Sequence, residues 1–154
     1  MAKFHQGRFK PDNPAKYRGD TANIIYRSSW ELKLLRYLDK HPDVLWYASE
    51  EVVVPYKSPL DGKMHRYFPD FIVRRKKKNG SVGTVMIEVK PKKETMPPNQ
   101  ENKKTKTGRA SSRFLREAKT YSINKTKWDA AYKYCKQKGW EFQIMTEDHL
   151  GIKR

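Results

Sequence analysis

The chain has 154 residues, with 34 Lys and Arg against 17 Asp and Glu, a formal net charge of +17 and 36% hydrophobic residues. That length suits one domain with its own core. A field so positive selects a polyanion, either nucleic acid or an anionic membrane surface.

No apolar run approaches the roughly 18 residues of a membrane span, and no charged-then-apolar signal segment opens the chain. A single cysteine, Cys135, excludes an internal disulfide and a multi-cysteine zinc site. The expectation is therefore an intracellular protein, or one assembled inside a cell, that handles nucleic acid and not membrane. Its apolar residues fall in strand-like and helix-like runs, so a folded domain with long basic loops is expected, not a disordered chain.

Residues 1–23 are basic and polar, with Pro11, Pro14 and Gly19, and read as an extended arm before a folded domain over 24–154. A helix is expected over 28–40, with Ser28 as N-cap and His41-Pro42 as the stop. Within it Glu31, Leu34, Leu35 and Leu38 recur at i, i+3, i+4 and i+7 and share a face. Residues 44–48 and 52–56 are short strands, Pro59-Leu60-Asp61-Gly62 is a turn, and 64–74 is a longer strand. Lys78-Asn79-Gly80-Ser81 signals a hairpin, because Asn-Gly suits a turn that needs positive φ. Residues 84–90 form the returning strand, with Val85, Ile87 and Val89 on one side and Met86, Glu88 and Lys90 on the other. Phe68, Asp70 and Ile72 share a face in the same way.

Residues 91–110 are rich in Lys, Pro, Asn and Thr and read as a basic loop. Two helices come next: one from Ser111 or Ser112 to Tyr121, and one over 125–138, capped by Asn124 and closed by Gly139. The apolar members of the second are Trp128, Ala131, Tyr132 and Cys135. A last strand over 140–145 and a turn over 147–150 complete a mixed α/β domain, with the sheet between helices.

Asp70 and Glu88 lie 18 residues apart, enough for a hairpin that returns the second strand beside the first. Hydrolysis of a phosphodiester needs a positioned water and stabilisation of developing charge, and a hard divalent cation on oxygen ligands supplies much of this. Asp70 and Glu88 are the candidate ligands, with the Val89 carbonyl as a third. Lys90 leaves the same strand face as Glu88, where it can orient or deprotonate water or offset phosphate charge. Glu31 has two readings. It can complete the site, or it can close the capping box Ser28-Ser29-Trp30-Glu31. Glu-Val-Lys alone is also an ordinary solvated strand tripeptide, and the combination carries the argument.

The run Arg74-Arg75-Lys76-Lys77-Lys78 is either a solvated hairpin tip or, with Lys90, Lys92, Lys93, Lys103, Lys104, Lys106 and Arg109, a phosphate-contacting surface. The four histidines, His5, His41, His65 and His149, show no metal-ligand spacing and are expected at the surface. Trp30, Trp46, Trp128 and Trp140 are expected in the core.

Pro69-Asp70 followed by Glu88-Val89-Lys90 resembles the PD-(D/E)xK nuclease superfamily. The similarity extends through Lys16-Tyr17-Arg18-Gly19-Asp20, Tyr26-Arg27-Ser28-Ser29-Trp30-Glu31, Arg66-Tyr67-Phe68-Pro69-Asp70, Glu88-Val89-Lys90-Pro91-Lys92-Lys93-Glu94-Thr95, Thr120-Tyr121-Ser122-Ile123-Asn124 and Phe142-Gln143-Ile144-Met145-Thr146-Glu147-Asp148. This series resembles the head-completion nucleases of T4-like tailed phages, relatives of TnsA-type transposon endonucleases, over residues 14–150.

The resemblance implies a single restriction-endonuclease-like domain with a mixed central sheet flanked by helices. It implies a Mg²⁺-dependent DNA endonuclease, with Mn²⁺ as a substitute and exonuclease activity as a further expectation. The family's acids fall on Glu31, Asp70 and Glu88, and its lysine on Lys90. Arg18, Arg27, Lys92, Lys93, Lys103 and Lys104 are then expected on double-stranded DNA. The implied partners are phage head and portal-vertex proteins, in the virion or the assembling head in the host cytoplasm. An alternative is a structural DNA-binding plug or adaptor at the portal vertex with incidental nuclease activity. A transposon-type subunit that needs a partner recombinase is a weaker one, because the chain lacks a helix-turn-helix-like extension.

Overall fold

The computed structural model describes residues 6–99 and 111–151. In chain order its elements are β1 (Gly7–Arg8), β2 (Ile25–Tyr26), α1 (Ser29–Lys40), β3 (Val44–Ser49), β4 (Val54–Lys57), β5 (Met64–Tyr67), β6 (Phe71–Lys76), β7 (Val82–Val89), α2 (Ser112–Lys138), β8 (Glu141–Met145) and α3 (Glu147–Leu150).

The main sheet runs β3-β6-β7-β8. Its first three strands are antiparallel and β8 is parallel to β7, so the sheet is mixed. Strand alternation sends Val73, Val85 and Ile87 to one face, where Leu34, Leu35 and Leu38 of α1 cover them. Ile72 and Met86 point the other way, onto Trp128, Ala131 and Cys135 of α2. Both faces are thus apolar, and each fully buried aliphatic side chain contributes about 1.5–3 kcal/mol. The helix–sheet–helix layering expected from the element order is present.

Local signals account for the element ends. The Ser28 side chain accepts the Glu31 N–H at 3.2 Å and starts α1. Ser111 does the same for Phe114 at 3.0 Å and starts α2. Gly139 stops α2 in the left-handed region, at φ 73°.

Four expectations change. The strand expected over 64–74 is two strands in two sheets: β5 pairs with β4, whereas β6 joins the main sheet. The break falls at Phe68-Pro69-Asp70. Proline has no N–H to give a central ladder, so the chain leaves one sheet there and enters another. The two helices expected over 111–138 are one, with Asn124 buried inside it rather than capping it. No Gly or Pro interrupts 121–125, and packing of α2 along the sheet carries the helix through a weak stop signal. In the hairpin only Gly80 adopts positive φ, 86°, because the connection is longer than a two-residue turn and the Asn79 side chain takes the Ser81 N–H at 3.0 Å.

The fourth change concerns residues 6–23, which pack on the domain instead of extending from it. β1 pairs with β2, and Asp39 anchors the stretch just after β1. Its buried carboxylate accepts the Asp12 N–H at 2.9 Å, the Asn13 N–H at 3.2 Å and the Tyr47 hydroxyl at 2.9 Å. Tyr17 sits edge-on to Tyr47, with ring centroids 5.3 Å apart. Of the basic loop expected over 91–110, residues Lys92–Thr95 form a 3-10 turn, and 100–110 lie outside the described residues.

Candidate active site

β6 and β7 converge on the site because Phe71 pairs with Ile87. That register sets Asp70, just before β6, against the end of β7. Its Oδ2 accepts the Val89 N–H at 2.7 Å. Glu88 lies one residue earlier on β7, only 6% exposed. The Tyr67 hydroxyl donates to its Oε2. Lys90 comes directly after Val89, and its own N–H is held by the Met145 carbonyl at 3.0 Å.

The closed capping box expected at Ser28-Ser29-Trp30-Glu31 does not form, because the Glu31 carboxylate passes the N-cap amide and reaches Arg27. The Glu31 N–H is capped by Ser28, while its carboxylate accepts the Arg27 N–H at 3.2 Å and the Ser28 hydroxyl at 3.4 Å. The return bond therefore goes to Arg27, one residue before the N-cap. The same carboxylate repels Asp70 and Glu88. Burial pushes Glu31 above the ordinary carboxylate range, opposed by the hydrogen bond from Arg27.

Asp70 is pushed up to about 7, first by burial and then by Glu31, against the Val89 hydrogen bond and the Lys90 charge. Glu88 is also pushed up to about 7 by burial, against Lys90 and Lys127. Ionising either acid here costs desolvation that surface carboxyls do not meet, which makes the pair a candidate site.

Sequence reasoning missed Glu50. Among the described residues it is the one non-glycine at positive φ, 54°. Its N–H donates to the Asp70 carbonyl at 3.1 Å. Arg27 grips its carboxylate through Nε at 2.9 Å and Nη2 at 3.3 Å. Its charge also raises Asp70 and Glu31. A strained backbone of this kind persists only where its surroundings hold it. The sequence carries only an ordinary acid between two strands at this position.

The structure brings Glu31, Asp70, Glu88 and Lys90 together. Among the described residues, however, no three Asp, Glu, His or Cys side chains are gathered closely enough to hold a metal. The three acids therefore form a charged neighbourhood and not a closed cage. The basic residues divide. Arg27 is exposed, and its guanidinium pairs with Glu50 at 2.9 Å. Arg18 is exposed, its guanidinium 5.4 Å from the Trp46 ring centre. Lys92 pairs with Asp148 at 3.2 Å, and Lys93 is exposed beside it. Lys103, Lys104, Lys106 and Arg109 lie outside the described residues, as does His5.

A mixed sheet between helices, with an aspartate ahead of one central strand and Glu-x-Lys ending the next, defines a nuclease-like domain of restriction-endonuclease type. The model of the TnsA-like endonuclease N-terminal domain matches residues 41–147. The head completion nuclease of Enterobacteria phage T4 is 41% identical over 146 residues, covering 95% of this chain and 93% of that protein. The chain belongs to the TnsA-like endonuclease family and is a relative of the phage head completion nucleases.

Proposed function

We propose that this chain is a Mg²⁺-dependent deoxyribonuclease, with Mn²⁺ able to substitute, acting on double-stranded DNA in phage head completion and head–tail joining after packaging. Endonucleolytic cutting is the proposed activity, with exonuclease activity as a further expectation. One observation carries the reading: Asp70, tied to the Val89 amide, stands beside buried Glu88, and Lys90 directly follows the end of that strand. The relationship to the phage T4 head completion nuclease supports the setting, and the TnsA-like domain supports the chemistry.

The residues present fit a magnesium ion. Mg²⁺ binds through one or two carboxylates, keeps several waters and completes its shell with substrate phosphate. Asp70 and Glu88 would supply those carboxylates, and the burial that disfavours their charge is what a bound cation would offset. When bound, the ion lowers the pKa of a water and neutralises charge on the phosphate. Lys90 orients the attacking water or takes up its proton, and offsets negative charge on the phosphate. Glu31 holds surrounding water from the helix side. Glu50, fixed by Arg27, steadies the Asp70 backbone. Arg18, Lys92 and Lys93, with Lys103 and Lys104, hold the DNA backbone without reading sequence.

The partners are duplex DNA and the head and portal-vertex proteins, and the place of action is the assembling head or the virion in the host cytoplasm. Among the described residues no helix is long and apolar enough to cross a membrane. The test is incubation with supercoiled and linear duplex DNA in Mg²⁺ or EDTA, beside folded Lys90→Ala. Metal-dependent nicking lost in the variant supports the reading. Salt-sensitive binding without cleavage by well-folded protein would transfer the weight to the structural plug.

A further inference from the structure

We infer that Tyr67 is a positioning residue for Glu88, holding its carboxyl so that one oxygen remains free for a divalent cation. The inference rests on the reading of Glu88 as a metal ligand. Tyr67 ends β5, which belongs to the β4–β5 pair and not to the main sheet. It is 5% exposed and packs in the α2-side core. Its hydroxyl donates to Glu88 Oε2 and thereby occupies that oxygen.

Tyr67 and Asp70 are separated only by Phe68-Pro69. The sheet switch at Pro69 thus has a use. On one side of it Tyr67 addresses the Glu88 side chain, and on the other Asp70 addresses the Val89 backbone. One short segment sets the geometry of both carboxyls.

Two α2 residues complete the surroundings. Trp128 is 8% exposed, and its Nε1 is the one buried side-chain polar atom without a hydrogen-bond partner among the described residues. It lies near enough to favour the ionised Glu88 carboxyl, though not at full hydrogen-bond geometry. Lys127 places Nζ 5.7 Å from the ring centres of both Tyr56 and Tyr67, and its charge acts on Glu88. Tyr67 is thus held from behind by a cation over its ring. Partners that orient a metal ligand in this way typically contribute 10–100-fold in metal affinity.

The experiment measures Mn²⁺ binding to the full chain by electron paramagnetic resonance. Wild type is compared with Tyr67→Phe, Tyr56→Phe and Glu88→Ala, with circular dichroism melts of each. Tyr67→Phe keeps the ring and removes only the hydroxyl. The expected result is Mn²⁺ affinity weakened by about tenfold or more in Tyr67→Phe, unchanged affinity in Tyr56→Phe, and cleavage by Tyr67→Phe that recovers at high Mn²⁺.

Wild-type affinity in Tyr67→Phe, an equal loss in Tyr56→Phe, or a Tyr67→Phe that no longer folds would each overturn the inference. If Glu88→Ala loses Mn²⁺ while Tyr67→Phe keeps it, only the positioning role falls. If wild type fails to bind Mn²⁺, or Glu88→Ala binds as well as wild type, the metal-ligand reading falls and takes this inference with it.

Discussion

Asp70 Oδ2 accepts the backbone N–H of Val89 at 2.7 Å. One oxygen of the Asp70 carboxyl is therefore committed to the strand that carries Glu88 and Lys90. The spacing of the three groups comes from the register of β6 on β7, with Phe71 opposite Ile87, and less from side-chain rotamers. Asp70→Asn keeps the acceptor and the shape but loses the charge. Nicking of supercoiled DNA should fall by more than about 100-fold, with a circular dichroism melt no lower than that of wild type. Lys90→Ala should cost about 10²–10⁴-fold, the range for a group that orients or deprotonates a nucleophile. Lys90→Arg should not restore the rate, because the broad planar guanidinium does not reproduce the compact point contact of the ammonium.

The acids predict an unusual pH profile of stability. Asp70 and Glu88 move from ordinary values of 3.8 and 4.5 up to about 7 in the folded chain. Between those limits the native chain retains protons that the unfolded chain has released, so this pair stabilises less as pH rises. Glu88→Gln mimics the protonated acid and escapes that loss. In urea titrations without metal, the stability of Glu88→Gln relative to wild type should grow from pH 5 to pH 8. Adding Mg²⁺ at pH 8 should narrow the gap, because the cation stabilises only the wild-type carboxylate.

Asp39 makes a separate prediction about the N-terminal segment. It is 1% exposed and accepts hydrogen bonds from Asp12, Asn13 and Tyr47. Removing an anionic acceptor of this kind typically costs about 2–4 kcal/mol. Asp39→Ala should lower stability by that order in urea and expose the bond after Lys16 to trypsin. Asp39→Asn, which keeps one acceptor oxygen, should lie between it and wild type.

DNA affinity should fall steeply with salt, as expected of a chain carrying +17. Arg18→Ala and Lys93→Ala, at exposed positions, should each reduce the slope of log K against log salt by about one and weaken all sequences alike. Arg27→Ala should behave differently. Its guanidinium is engaged with Glu50, so its loss should slow cleavage while leaving the salt slope nearly unchanged. Fluorescence anisotropy with a short duplex at several salt concentrations separates the two.

Much of this molecule is decided within a few residues of sequence. Ser28 and Gly139 bound their helices, Gly80 turns the hairpin, and the alternation from Val85 to Lys90 assigns each side chain to a face of β7. These depend on backbone preferences and on a period of two, which act locally and stay readable in one dimension. Tertiary structure decided the rest. Pro69 divides one apolar run between two sheets, and α2 continues through Asn124 because the sheet supports it. Residues 6–23 dock because Asp39 waits for their amides. The link of Asp70 to Val89, the grip of Arg27 on Glu50 and the contact of Tyr67 with Glu88 span 19 to 23 residues of chain. Such contacts exist only after loop-closure entropy has been overcome by packing of the sheet, and no local pattern in the chain records them.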